Sequence, residues 1–420
     1  MGTVAAVILV VIAVILAAAL VLVATAVVIA ALRMTKILGA LVVALLTLAA
    51  AMGLGRFFYT PQLPLMLAEG RISLPDASGL AFANYLGYLA GSLWLARRAL
   101  HGPRQLMAGL RTGLVLNVAG LALLACPLPV WLWVLTRGVS GIASAMVMVC
   151  LAALLLPRAG TRTRGLIYAG IGCGMVAAGG LTHLWPDSLH SGWLATALAA
   201  LLACLVWQPP RRARPAVRPA ATASLRPDTS LGALTALYGL AGLGYIIVAT
   251  YLPTLARDTL GPDADTGLLW LVAGAAAMPA PLLWAGLARR LGDAPALALN
   301  LALQVTATAL PAFASGPALL VLAAACLGLG FAGTPALVLP LASRLPARAG
   351  WQPVAAVTAA YGVGQLLGPL LAGVLRQTSG SFALPSLVAA LALLPALLFI
   401  PAATGYRLPV LFGRAAIRPR

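Results

Sequence analysis

Charge is scarce in this chain. Only 8% of its 420 residues are Asp, Glu, Lys or Arg, and only eight of those are acidic. Histidine occurs three times and lysine once, at Lys36. With 62% hydrophobic residues, a soluble domain of this length could not cover its apolar surface. The alternating pattern of a membrane β-barrel is missing, which leaves helices as the means of crossing a bilayer. The few His, Asp and Glu residues are scattered, so a metal cluster or an enzyme active site is not expected. Cys126, Cys150, Cys173, Cys204 and Cys326 are odd in number and form no zinc or redox motif. No acid stands inside an apolar run, so no carboxylate proton relay is visible, and a coupling ion such as H+ is left open. The net charge of +19 lacks the basic-aromatic patches of a nucleic-acid groove.

What the chain has instead is apolar runs of a length that crosses a ~30 Å hydrocarbon core. Twelve are read after residue 36: 37–67, 77–96, 104–125, 130–156, 165–185, 190–207, 231–256, 266–288, 295–314, 318–342, 353–375 and 382–402. A Pro- and Arg-rich stretch, 208–230, divides them six and six as a linker, and 403–420 forms a basic tail. The expected fold is therefore an all-α integral membrane protein with two six-helix bundles, 37–207 and 231–402. Alternate loops and the tail carry nineteen arginines, while the other loops carry three, Arg71, Arg257 and Arg376. By the positive-inside bias, both ends of the twelve-span body lie in the cytoplasm. Residues 1–36 hold a further apolar run, 4–32, without the basic start of a signal peptide. It is either a thirteenth helix or an artefact of start-site choice, with Met34 as the alternative start.

The halves repeat. "GLGRFFYTPQLP" (53–64) aligns with "GLGYIIVATYLP" (242–253) at an offset of 189, and "LARRALHGP" (95–103) with "LARRLGDAP" (287–295) at 192. Gly141, Ala143, Ala153 and Pro157 align with Gly330, Ala332, Ala342 and Pro346, again at 189. A parallel repeat places a binding site between the halves near the membrane midplane.

The inner loop "GSLWLARRALHGPR" and its copy "GLARRLGD" are degenerate forms of the loop signature of the major facilitator superfamily. "RGVSGIASA" (137–145) resembles its fourth-span signature. "MGLGRFFYTPQLPLM" with "YGVGQLLGPLLAG" (361–373) is similar to the YbfB/YjiJ type of that superfamily, over roughly residues 37–401. The resemblance implies a twelve-helix secondary transporter and supplies no substrate. The loop aspartates are missing, which questions the usual Asp–Arg latch. The Gly-Pro of the antiporter signature is absent from span five, so direction cannot be inferred.

Arg56 stands about 6 Å from the middle of the first span, counting 1.5 Å per residue. A charge there costs roughly 2.5–3.5 kcal/mol on insertion scales. Gly53, Arg56 and Thr60 share a face at helical spacing. Two readings stay open: a cavity-facing substrate residue, with Tyr59 and Thr60 beside it, or a buried tie to carbonyls near Pro61 and Pro64. Arg137 lies at similar depth in span four and is read either as a second cation for an anionic ligand or as a helix tie. Softer polar candidates are Asn84 with Tyr88, Tyr238 with Tyr245, and Tyr361 with Gln365. The glycines of span five point to close helix approach. "GLGFAG" (328–333) lacks the βαβ context of a nucleotide fingerprint. His183, near the end of span five, reads as an interfacial residue.

The expectation is a non-enzymatic, cofactor-free, monomeric secondary transporter of a bacterial inner membrane. Its partners are the lipid bilayer and a small solute, anionic or carboxylate-bearing, moved by alternating access. A membrane enzyme or a transport-dead sensor is the alternative.

Overall fold

In a computed structural model the structure describes residues 36–98, 102–155, 159–185, 229–346 and 353–406. Every element among them is helical. The first span is α1 (Lys36–Leu48), a π-helical segment (Ala49–Leu54) and α2 (Tyr59–Ala68). Spans two to five are α3 (Leu74–Arg98), α4 (Pro103–Ala125), α5 (Val130–Leu155) and α6 (Thr161–Leu184). Span seven is α7 (Leu231–Leu260), and span eight is split into α8 (Thr266–Ala277) and α9 (Ala280–Leu291). Then follow α10 (Asp293–Ala309), α11 (Pro317–Arg344), α12 (Pro353–Ser379), α13 (Ala383–Leu398) and the short α14 (Ile400–Thr404). Among the described residues nine helical segments are long and apolar enough to cross a membrane, and α3 and α13 occupy two more of the expected positions. The sixth expected span, the run 4–32, the linker from 208 to 228 and the tail after 406 lie outside the described residues.

Helix limits follow from local chemistry. Ser230 accepts from Ala233 N to start α7, and Asp265 accepts from Leu268 N to start α8. Span eight breaks at Met278–Pro279, where Pro279 and Pro281 supply no N–H. The two aligned arginine loops end alike. Gly102 (φ 103°) precedes α4 and Gly292 (φ 93°) precedes α10, a conformation suited to glycine.

The packing repeats as the sequence does. Gly53 of the first span abuts Gly174 of α6, and Gly242 of α7 abuts Tyr361 and Gly364 of α12. Each pair sits at the offset read from the sequence, to within a residue. Across the halves, α3 packs on α12 and α6 on α8. The second seam is glycine against glycine: Gly172 meets Gly274, and Gly179 meets Gly267. Both pairs are seven residues apart on their helices, so the backbones touch twice, two turns apart. The glycines of span five thus serve close approach. In lipid, where burial of apolar surface gains little, such backbone contact is a main source of helix association.

The molecule is apolar outside and polar within. Leu398 is 81% exposed and Trp131 63%, while Asn84, Asn300 and Gln62 are fully buried. At the end carrying Glu69, Asp76 and Asp258, here the acidic end, the halves are tied together. Ser78 Oγ meets Tyr251 OH at 2.8 Å, Arg257 donates to Pro64 O at 3.3 Å, and Thr266 donates to Pro61 O at 3.4 Å. His183 pairs with Asp265 at the same end.

Candidate functional site

The site begins with a backbone fault written in "RFFYTP". Pro61 has no N–H, so Phe57 O loses its ordinary helical donor. Thr60 N turns to Phe57 O instead, at 3.2 Å. Arg56 O is then left without a donor four or five residues on. Upstream, Gly55 N reaches back to Ala50 O at 2.8 Å, and Phe57 N to Met52 O at 3.2 Å, the five-residue reach of a π-helix. That leaves Ala51 O bare as well. Both carbonyls are covered from α5. Ser144 Oγ donates to Ala51 O at 3.0 Å, and Arg137 donates through both Nη atoms to Arg56 O at 3.4 and 3.5 Å. The residues of "RGVSGIAS" therefore splint the broken first span. Thr250 stands where α7 would need the equivalent of Pro61, and α7 runs unbroken.

The fault overturns one sequence expectation. Gly53, Arg56 and Thr60 do not act as one face. Gly53 turns to α6, whereas the Arg56 side chain meets α3 and α12. The π segment and the turn at 55–58 reset the helical register between them.

Arg56 is 4% exposed and lies between the halves. Its guanidinium carbon stands 4.1 Å from the Tyr88 ring centre, 4.8 Å from Tyr85 and 5.5 Å from Phe57. Nη2 donates to Gln365 Oε1 of α12 at 3.2 Å. Gln365 Nε2 in turn donates to Tyr245 OH of α7. The amide orientation follows from chemistry, because a guanidinium cannot accept. One charge-assisted bond is worth about 1.5–3 kcal/mol, and a desolvated ring contact about 0.5–2. Together they match the cost of inserting the charge, so Arg56 is tolerated without any counter-ion. Nε stays buried with no partner. Among the described residues no Asp or Glu is buried.

The carbonyls near Pro61 and Pro64 take their extra donors from Thr266 and Arg257, and Arg56 is not their tie. Arg137 holds the Arg56 carbonyl and lies 4.6 Å beneath the Tyr59 ring centre. Tyr59 OH donates to Ala77 O at 2.9 Å, and Asn84 Nδ2 to Arg137 O at 3.0 Å, so both brace the splint. Thr60 is buried in α2. Tyr238, Tyr361, Tyr245 and Phe331 stack in series, with ring centres 4.2, 5.6 and 5.3 Å apart. Phe57 continues the series edge-on at 6.1 Å, and Trp270 follows at 6.3 Å. The structure thus brings together Arg56, Tyr88, Tyr245, Tyr361 and Gln365, with Tyr59, Asn84 and Arg137 one layer behind.

Sequence reasoning missed Phe57, Tyr85, Phe331 and Ser144. Tyr85 had a signal, standing three residues from Tyr88 on one helical face. Ser144 lay unread inside the quoted fourth-span motif. Phe331 and Phe57 had none beyond their place in apolar runs.

A family model described as "Uncharacterised MFS-type transporter YbfB" matches residues 48–400. The chain belongs to this family of major facilitator transporters. Two solved structures that share its fold are transporters. One is a point mutant of the nucleoside transporter NupG, at TM-score 0.65 and 12% identity, covering 87% of this chain and 99% of that one. Another is a POT family transporter in complex with a thioalcohol-conjugated peptide, at TM-score 0.65 and 14% identity, covering 86% and 96%. No curated protein matches the chain significantly. The YbfB-type chain is thus a multi-pass membrane protein of a transporter family.

Proposed function

We propose that this transporter carries a small anionic solute by alternating access, with Arg56 as its anchoring charge. The observation that carries the reading is the Arg56 guanidinium, buried between the halves with an unpaired Nε and, among the described residues, no buried carboxylate to pair with it. A cation so placed marks a substrate path more often than a structural tie, and its carbonyl-tying role is already filled by Arg137, Arg257 and Thr266. Arg137 adds positive field behind the site. Alternating access is supported by the acidic end, where cross-half contacts close the molecule without using Arg56 or Gln365. The arginine asymmetry orients that end outward from a bacterial cytoplasmic membrane, with the C-terminus inside. Division into 37–207 and 231–402 around the linker, a monomeric state and any coupling ion belong to the same proposal.

Flux in proteoliposomes tests it, with labelled acetate, lactate, succinate and phosphate set against acetamide and lactamide. Arg56→Lys should stay folded and lose most anion flux, because an ammonium cannot copy the planar fork. Arg56→Ala should lose it all. Anion flux that survives Arg56→Ala, or uptake confined to the neutral amides, would sink the assignment.

A further inference from the structure

One edge of the Arg56 guanidinium is half filled. Nε and Nη2 form that edge, the one that commonly grips a carboxylate with two parallel N–H···O bonds. Here Nη2 holds Gln365 Oε1, at 3.2 Å, and Nε on the same edge holds nothing. An amide has a single oxygen, so it can serve one prong of the fork. A carboxylate has two at the right spacing. Tyr85, Tyr88 and Phe57 pack their rings around the guanidinium.

Gln365 also binds on its other side, where Nε2 donates to Tyr245 OH. Tyr245 occupies the position in the second half that Arg56 occupies in the first: each follows the aligned Gly-Leu-Gly, at the offset of 189. The side chain of Gln365 thus joins equivalent points of the two halves.

From this edge we infer that Gln365 is a displaceable stand-in for the ligand and that the ligand's recognised group is a carboxylate. The inference rests on the anion reading above and narrows it. On binding, two carboxylate oxygens take Nη2 and Nε of Arg56 and release Gln365 Oε1. The bridge between Arg56 and Tyr245 through Gln365 is then broken, and the freed amide and the tyrosine hydroxyl are donors available to the same anion. No covalent step is involved. Tyr88, at 4.1 Å over the guanidinium, is a flat wall beside the carboxylate and favours a planar group there over a tetrahedral one.

The test supplies the missing oxygen from within. Gln365→Glu places a carboxylate on the same side chain, one atom changed. It should fill both prongs, raise the melting temperature of the purified protein by about 2 °C or more, and do so only while Arg56 is present. The same change in an Arg56→Met background should give no rise. Acetate and benzoate should stabilise the wild type, acetamide and benzamide should not, and the Gln365→Glu protein should respond to none of them. Gln365→Leu, which cannot compete for the fork, should lower the stability of the empty protein while acetate still stabilises it. A Gln365→Glu protein as destabilised as Gln365→Leu overturns the inference, since the fork then has no place for a second oxygen. A Gln365→Glu protein that still binds acetate like the wild type overturns the displacement and leaves the anion reading standing. Stabilisation by phosphate and not by acetate or benzoate overturns the carboxylate assignment alone. If no anion gives an Arg56-dependent shift or flux, the anion reading itself falls.

Discussion

Pro61→Ala and Arg137→Met should rescue one another. In the native chain Pro61 denies Phe57 O its donor, Thr60 N moves across to supply it, and Arg137 covers the vacated Arg56 O. Removing Arg137 alone leaves that carbonyl bare inside the bundle. Interhelical bonds in membranes average about 0.6 kcal/mol and reach about 1.7. The two bonds here are long, at 3.4 and 3.5 Å, so the lower figure applies to each. The ring contact with Tyr59 adds about 0.5–2 kcal/mol. Arg137→Met should therefore destabilise by roughly 2 kcal/mol on those scales. With alanine at 61 the helix regains a donor, Thr60 N is free to return to Arg56 O, and the carbonyl part of the loss disappears. The double mutant should then be more stable than the sum of the singles by about 1 kcal/mol, within the range expected of contacting residues. Reversible unfolding in mixed micelles, read by intrinsic fluorescence, gives all four corners of the cycle. Strict additivity would refute the chain of reasoning from proline to arginine. An Arg137→Lys protein as stable as the wild type would refute it too, because one ammonium on a flexible stem cannot reproduce two directed donors.

Four other outcomes are expected. Gly274→Leu should prevent assembly, since any Cβ there meets Val176 N and Gly172 O, which are backbone atoms, whereas Gly180→Ala should fold normally; size-exclusion profiles of the two separate them. Ser78→Ala combined with Tyr251→Phe should loosen the acidic end, so spin labels at the exposed Gly70 and Thr259 should move apart, and an unchanged distance would discount that contact as a closure. Reporters fused within 208–228 and after Arg414 should both read cytoplasmic, and expression from Met34 should give a folded, transporting protein; a periplasmic signal, or loss of folding on that truncation, would reverse the topology or make the run 4–32 a true helix.

The spans were legible because a membrane leaves the backbone no choice but helix, and a long uncharged run is hard to mistake. The repeat was legible in glycines, and the reason is now physical. Gly53 and Gly242 touch a neighbouring backbone at equivalent places, so neither position has space for a side chain. Arg56 announced itself by the cost of its charge. Its surroundings did not, because they depend on a local departure from helical spacing. A π segment and a proline moved Gly53 and Arg56 onto different neighbours, and no count of three and four residues anticipates that. Arg137 shows the same limit from the other side. Its depth left a ligand cation and a helix tie both open, and the carbonyl that it holds, freed eighty-one residues earlier in the chain, is not visible in the sequence.

The two halves share a scaffold and divide the chemistry. Position for position, Arg56 faces Tyr245, Pro61 faces Thr250 and Pro64 faces Pro253. The proline that breaks the first span has no counterpart in the seventh, so one half presents a cation on a faulted backbone and the other a hydroxyl on a continuous helix. Within the pair of helices that follow the same rule, Gly174 and Gly364 match as contact points, yet the next residue is Met175 in one half and Gln365 in the other. A symmetric pair of arginines would repel across the midplane, and a symmetric pair of tyrosines would hold no anion. One arginine, one tyrosine and one amide between them give a site that is bridged when empty. In the proposed reading a ligand that takes the arginine undoes that bridge, and occupancy is felt at equivalent points of both halves at once. That is what a carrier needs if loading is to change how its halves rest against each other.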